Sequence, residues 1–128
     1  MPGAKGLMTP AQVFARLTSV RRARQEHFFV LCLNIRGRQI KKELVSKGIL
    51  NAAIVHPREV FYAAILHNAA SIIVVHNHPS GDTEPSTEDL DVTARLVKAG
   101  QIMGIEVYDH IIVGEGSYTS LRELGVIS

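Results

Sequence analysis

The chain has 128 residues, 46% of them apolar and 20% charged, with no tryptophan, which is the size and composition of one soluble globular domain. About two-thirds of the surface of such a chain can be buried, enough for a core without staples. A formal net charge of +2 argues against a dedicated nucleic-acid binder, and the short apolar runs fall well below the roughly 20 residues that a membrane span needs.

Residues 1–8 contain two glycines, a proline and a lysine without apolar period, and are expected to be a frayed terminus or expression remnant, with the domain running over 9–128. No secretory signal pattern opens the chain. Thr9 followed by Pro10, with Gln12 three residues after the threonine, predicts a capped helix start whose stripe is Val13, Phe14 and Leu17. From His27 to Ile35 the β-branched and aromatic content predicts a strand, Arg36-Gly37-Arg38 a turn, and Gln39 to Ser46 a second strand of the same hairpin. Cys32, the single cysteine, falls in the first of these strands. It excludes a disulfide, a CxxC motif and a thiolate metal cluster, points to a reducing cytoplasm, and reads as inert core.

His56-Pro57 opens the next predicted helix, with Val60, Phe61, Ala64 and Ile65 on one face and Asn68 to Ala70 leading out. Ile72 to Val75 is apolar at every position, as in a central strand covered on both faces. Pro79 to Asp82 is loop chemistry, and Ser86 with Asp89 at the third helical position starts a long helix carrying Leu90, Ala94 and Val97 to Gly100 or Gly104. Ile105 to Val113 is a further strand, Gly114 to Gly116 a turn, Ser117 to Thr119 a short return strand, and Ser120 to Leu124 a final helical turn. This alternation predicts a three-layer α/β/α sandwich with a mixed sheet.

The charge is unevenly placed. Seven basic residues against one acid, Glu26, lie between Arg21 and Lys42, and five acids with no base lie between Asp82 and Asp91. The basic stretch is read as a solvated face with a turn, with a phosphate-contacting patch through Arg36, Arg38, Lys41 and Lys42 as the alternative.

His76 and His78 stand two residues apart at the end of the buried strand, so extended backbone points both imidazoles to the same side. The following loop can fold Asp89 back toward them as an oxygen ligand. Two imidazoles, one carboxylate and a fourth position left to water form the ligand set of a catalytic zinc site. Zinc lowers the pKa of its water toward about 7, and a nearby carboxylate must still take and pass on the proton. Glu43, on the hairpin strand, is the expected base. Ser86 is read as helix cap and as a hydroxyl donor to the oxyanion of the attacked carbonyl.

The spacing H-x-H-x7-S-x2-D with an upstream glutamate, here His76, His78, Ser86 and Asp89 with Glu43, resembles the signature of JAMM (MPN-type) metalloproteases. The wording Asn77 to Gly81, Glu84 to Ser86, His56 to Glu59 and Asp109 to Gly114 is similar to the RadC branch of bacterial JAMM-domain proteins, from roughly Thr9 onward. The resemblance implies a cytidine-deaminase-like α/β/α fold, one zinc ion held by His76, His78 and Asp89, and hydrolysis of a peptide or isopeptide bond in a bacterial cytoplasm. Family members usually carry an N-terminal helical region, so a cloned C-terminal domain or a short member is expected. The family's DNA-repair label is not something these residues show.

Taken singly, His76 and His78 would be read as core or loop histidines, Asp89 as a capping-box acid and Glu43 as an exposed strand residue among lysines. His110, beside Asp109, is read as structural, with a supporting or substrate-groove role as the alternative. The consecutive His76-Asn77-His78 is not the dispersed arrangement of an HNH nuclease. One cysteine cannot serve a zinc deaminase, and Ser80 and Gly81 break a metallo-β-lactamase pattern. The rival to a zinc-dependent amide hydrolase is a non-catalytic DNA- or protein-binding module on the same scaffold.

Overall fold

A computed structural model describes residues 8–48, 50 and 55–128. The expectation of a frayed terminus therefore lies outside the described residues for 1–7. Met8, counted with it, is instead buried and accepts a place in the core.

Thr9 caps α1 (Pro10–Arg16) with the predicted box: the Gln12 amide N–H donates to Thr9 Oγ1 at 3.2 Å, and the Thr9 N–H donates to Gln12 Oε1 at 2.9 Å. A single turn, α2 (Thr18–Arg21), follows. The hairpin of β1 (His27–Leu33) and β2 (Gln39–Lys47) forms as expected. Then come α3 (Pro57–Leu66), β3 (Ser71–Asn77), α4 (Thr87–Met103), β4 (Glu106–Val113) and the short β5 (Tyr118–Ser120). The sheet is mixed, in the order β2-β1-β3-β4-β5, and its parallel pair is β3 with β4, joined by the α4 crossover.

Period-two alternation divides the sheet between two cores. Phe29, Leu31 and Leu33 of β1, with Ile73, Val75, Ile111 and Val113, pack under Val13, Leu17 and Val20 of the N-terminal helices. Phe28, Val30 and Cys32, with Ile72, Val74 and Ile112, pack under Val60, Phe61 and Ala64 of α3 and Val92 and Leu96 of α4. Each fully buried large side chain contributes about 1.5–3 kcal/mol. These are the three layers that the alternation of elements predicts.

Two predicted helix faces differ. On α3, Ile65 is 61% exposed, while Ala63 is buried in its place. On α4, Leu90 and Ala94 face solvent and Val97 is half-buried; the inward face is Asp89, Val92, Thr93, Leu96 and Gly100. The stripe reading assumed that apolar side chains alone choose the buried face. Here a buried carboxylate chooses it: turning Asp89 inward brings the residues one, two and three turns later, 92 and 93, 96, and 100, to the same side.

Among the described residues no helix is long and apolar enough to cross a membrane.

Candidate metal centre and active site

The site gathers at the C-terminal end of β3 and the N-terminus of α4. His76 and Asn77 are the last residues of β3, His78 leaves it, and the His78 N–H still donates to the Val113 carbonyl at 2.9 Å, so β4 holds the loop start. A Cβ built on Gly114 would lie 2.9 Å from the Gly81 carbonyl oxygen. Only glycine lets the end of β4 support the 79–82 turn this closely.

Asp89 is the hub. It is fully buried, its Oδ1 lies 2.8 Å from His76 Nδ1, and its Oδ2 lies 2.9 Å from His78 Nε2. The Ser86 hydroxyl and backbone N–H both donate to Oδ2 at 2.8 Å, and the Asp89 N–H returns a bond to Ser86 Oγ at 3.0 Å. Burial pushes this carboxyl's pKa up. The hydrogen bonds from His76 and His78, the nearby His110 and the Ser86 N–H outweigh it and hold Asp89 far below the ordinary carboxylate range. The reciprocal bond raises His78 above the usual imidazole value, against the opposing effect of its partial burial.

The second nitrogen of His78, Nδ1, lies 2.8 Å from the Asp82 carbonyl oxygen. A carbonyl only accepts, so Nδ1 donates to it, and Nε2 is the ring nitrogen held on the Asp89 side. The ligating atoms of His76, Asp89 and His110 lie within 4.8 Å of one another and all three residues are buried, so the group could hold a metal ion. Imidazole nitrogens around an ionised, buried carboxylate are the donor chemistry of a zinc-type cation.

Glu43, expected as the base, is not brought to this cluster. It pairs with Val30 in the middle of β2, its side chain is 49% exposed, and its ion-pair partner is Lys41 at 3.9 Å. The strand order interposes β1 between β2, which carries Glu43, and β3. The carboxylate that does reach the cluster is Glu26, the single acid of the basic stretch. Its Oε1 lies 2.7 Å from His76 Nε2, and the Leu50 N–H points to the same oxygen at 3.4 Å.

Glu26 gets there through β1. That strand pairs antiparallel with β3, Phe28 opposite His76, so the residues entering β1 lie beside the residues leaving β3. Asn77 locks the junction: its Oδ1 accepts from the His27 N–H at 2.5 Å and its Nδ2 donates to the Gln25 carbonyl at 3.1 Å. One fully buried amide thus clasps the backbone on both sides of Glu26. The histidine motif contains this clasp as its middle residue, a signal visible in sequence only once the β1–β3 pairing is known.

Ser86 lines the cleft, and its one hydroxyl proton is engaged by Asp89. Glu26, Leu50, His76, His78, Pro79, Ser80, Ser86 and Glu88 line an open cleft of about 440 Å³. His110 lies behind it on β4, fully buried, with Nδ1 2.6 Å from Thr93 Oγ1 and Nε2 3.9 Å from Asp89 Oδ1. Burial and the neighbouring His76 and His78 push its pKa down to about 4, despite the opposing charge of Asp89. Asp109 anchors the C-terminal turn, accepting from Ser120 Oγ at 2.6 Å and from the Arg122 N–H at 3.0 Å. Arg36, Arg38, Lys41 and Lys42 are exposed on the hairpin and β2, which β1 separates from the strand that carries His76.

The profile of the RadC-like JAB domain matches residues 7–126. Among curated proteins, the UPF0758 protein of Methanosarcina barkeri is 48% identical over 120 residues, covering 93% of this chain and 52% of that protein. The UPF0758 protein of Caldanaerobacter subterraneus is 58% identical over 101 residues, 79% of this chain and 43% of that protein. That of Pelobacter propionicus is 52% identical over 120 residues, with 93% and 52% covered. The chain spans about half the length of these relatives. With the α/β sheet, the buried His-Asp-His group and a profile match over nearly its whole length, the chain belongs to the RadC-like JAB domain family.

Proposed function

We propose that this domain is a zinc-dependent hydrolase of peptide or isopeptide bonds. The observation that carries the reading is that His76 and His78, both bonded to the buried Asp89, line one cleft with a carboxylate, Glu26, that belongs to none of their elements. A purely structural metal site has no need of the fourth group.

His76, His78 and Asp89 would hold the ion. When bound, zinc supplies a Lewis acid that polarises the scissile carbonyl and acidifies water. Glu26, in place of Glu43, accepts the proton from the attacking water and delivers it to the leaving amine. Its side chain is 24% exposed, open enough to exchange a proton with a molecule in the cleft, and Asn77 keeps its backbone in register. Ser86 serves first to hold Asp89; to donate to an oxyanion its hydroxyl must turn away from Oδ2, which the Ser86 N–H continues to satisfy.

The test is elemental analysis of protein purified without chelator or metal-affinity tag, followed by a screen of peptide and isopeptide substrates. About one zinc per chain, with turnover lost in Glu26→Gln and its zinc retained, is the expected result. Absence of zinc uptake would defeat the reading. The second reading, a binding module using the exposed Arg36, Arg38, Lys41 and Lys42 on DNA, predicts binding that weakens steeply with salt and survives His76→Ala.

A further inference from the structure

We propose that α4 pairs with α4 of a second copy of this chain, antiparallel, about a two-fold axis beside Ala94 and Val97. The inference does not depend on the metal-centre reading.

Next to its buried face, α4 carries an apolar face that the fold leaves uncovered. Leu90 is 40% exposed, Ala94 is exposed and Val97 is half-buried, and their spacing of four and then three residues sets them in one line along the helix with Gln101. The C-terminal turn runs beside that line, held to the core by Leu121 and Ile127 while Val126 stays 50% exposed. Ala94, Val97, Lys98, Gln101 and Val126 line a groove of about 290 Å³ there, with Leu90 at its other end.

Two observations select a second copy as the occupant. The first is shape: a projecting leucine lies at one end of the face, and the recess between Gln101 and Val126 lies 11 residues, or about 16 Å, along the axis at the other. Reversing one helix against the other brings each Leu90 level with Gln101 of the second copy and seats it against that copy's groove. Ala94, at the crossing, is small enough to let the two backbones approach.

The second observation is charge. Asp91 and Lys98 stand two turns apart on the solvent edge of this same face, both exposed, and among the described residues neither has an ion-pair partner. The reversal that matches leucine to groove also brings each Asp91 within about 3 Å, measured along the axis, of Lys98 of the second copy. Two pairs of opposite charge result, where a parallel arrangement would set like beside like. A patch that meets itself closes at two copies. Glu88, which lines the cleft, is two residues and so about 200° around the helix from Leu90, and the pairing leaves both clefts open.

One helix pair flanked by two short turns is a small interface, so a reversible dimer with a micromolar dissociation constant is expected. The experiment is sedimentation equilibrium of the 128-residue chain from micromolar to millimolar concentration, in wild type and variants whose folding is checked by circular dichroism. The mass should rise from that of one chain toward that of two. Leu90→Arg should weaken association about tenfold or more, and so should Asp91→Lys or Lys98→Asp alone, each of which sets like charges together. The double variant Asp91→Lys with Lys98→Asp should recover wild-type association. A chain that stays monomeric throughout, as it would if a different protein or the remaining half of its longer relatives covers this face, overturns the inference. So does a dimer that Leu90→Arg leaves unchanged, or one whose single charge variants the double variant fails to rescue. Asp91 and Lys98 are solvent-exposed, so the charge exchange decides the matter even where Leu90→Arg fails to fold.

Discussion

Two glutamates flank β1, and the contrast between them shows how a sheet decides which carboxylate can do chemistry. Glu26 sits where the chain enters β1, beside the end of β3, with Asn77 gripping its neighbours and Oε1 on His76. Glu43 sits in the middle of the edge strand β2, facing Val30 and leaning on Lys41. Each strand spacing is about 4.8 Å, so a group one strand further out cannot be pulled back by its own side chain. A strand end, where the backbone turns over the edge of the sheet, can point a carboxylate at a neighbouring strand's terminus. The edge position serves a different need: charged side chains there discourage pairing with other chains.

The sharpest break of that comparison is Glu26→Gln against Glu43→Gln. With a hydrolysable substrate in hand, the first should lose about 10²–10⁴-fold in kcat and the second should stay within error, zinc content being equal in both. Equal loss in the two variants would erase the distinction. Asp89→Asn should abolish zinc retention, because it discharges the hub that His76, His78 and Ser86 all share; dialysis against a weak chelator followed by metal analysis reads this directly.

Asn77→Ala tests whether the strand end depends on its clasp. Losing two partly buried hydrogen bonds should cost about 1–3 kcal/mol of unfolding free energy, read by denaturant titration, and slow turnover more than it weakens zinc binding. Gly100→Ala probes the far end of α4, where a Cβ would stand 2.3 Å from the Ile105 carbonyl oxygen. Overpacking should destabilise by about 1–3 kcal/mol without touching the metal, even though alanine is the better helix former.

A smaller effect concerns pH. His110 is pushed down to about 4 in the folded chain from an ordinary 6.5, so below 6.5 the unfolded state binds the extra proton. For metal-free protein this contribution to stability is full above pH 6.5 and is lost as pH falls from 6.5 to 4. Urea unfolding of the metal-free chain across that range should show a flatter pH dependence in His110→Gln than in wild type. Smallest of all, Cys32 is buried with its thiol pushed up by burial, by Glu43 and only partly relieved by Lys41. A chromogenic disulfide reagent should label it only after unfolding.

Much of this protein was legible residue by residue wherever the signal is local. The Thr9 and Ser86 caps, the β1–β2 hairpin and the wholly apolar run of β3 each follow from neighbours a few positions apart, and the structure has them where the patterns put them. The two-residue step from His76 to His78 and its distance from Asp89 are likewise local to one strand, one loop and one helix start. Periodicity misread the face of α4 because it weighs apolarity, and Asp89 was the residue that had to face inward.

Strand order is a different kind of information. Nothing in the spacing of Glu26, Glu43 and His76 says that β1 lies between β2 and β3, because pairing is chosen by the packing of whole strand faces against two helical layers. The sequence by itself determined the elements, their caps and the types of donor available. The tertiary structure alone decided that Glu26 would meet His76, that Asn77 would hold it there, and that His110 would turn an unpartnered nitrogen toward Asp89.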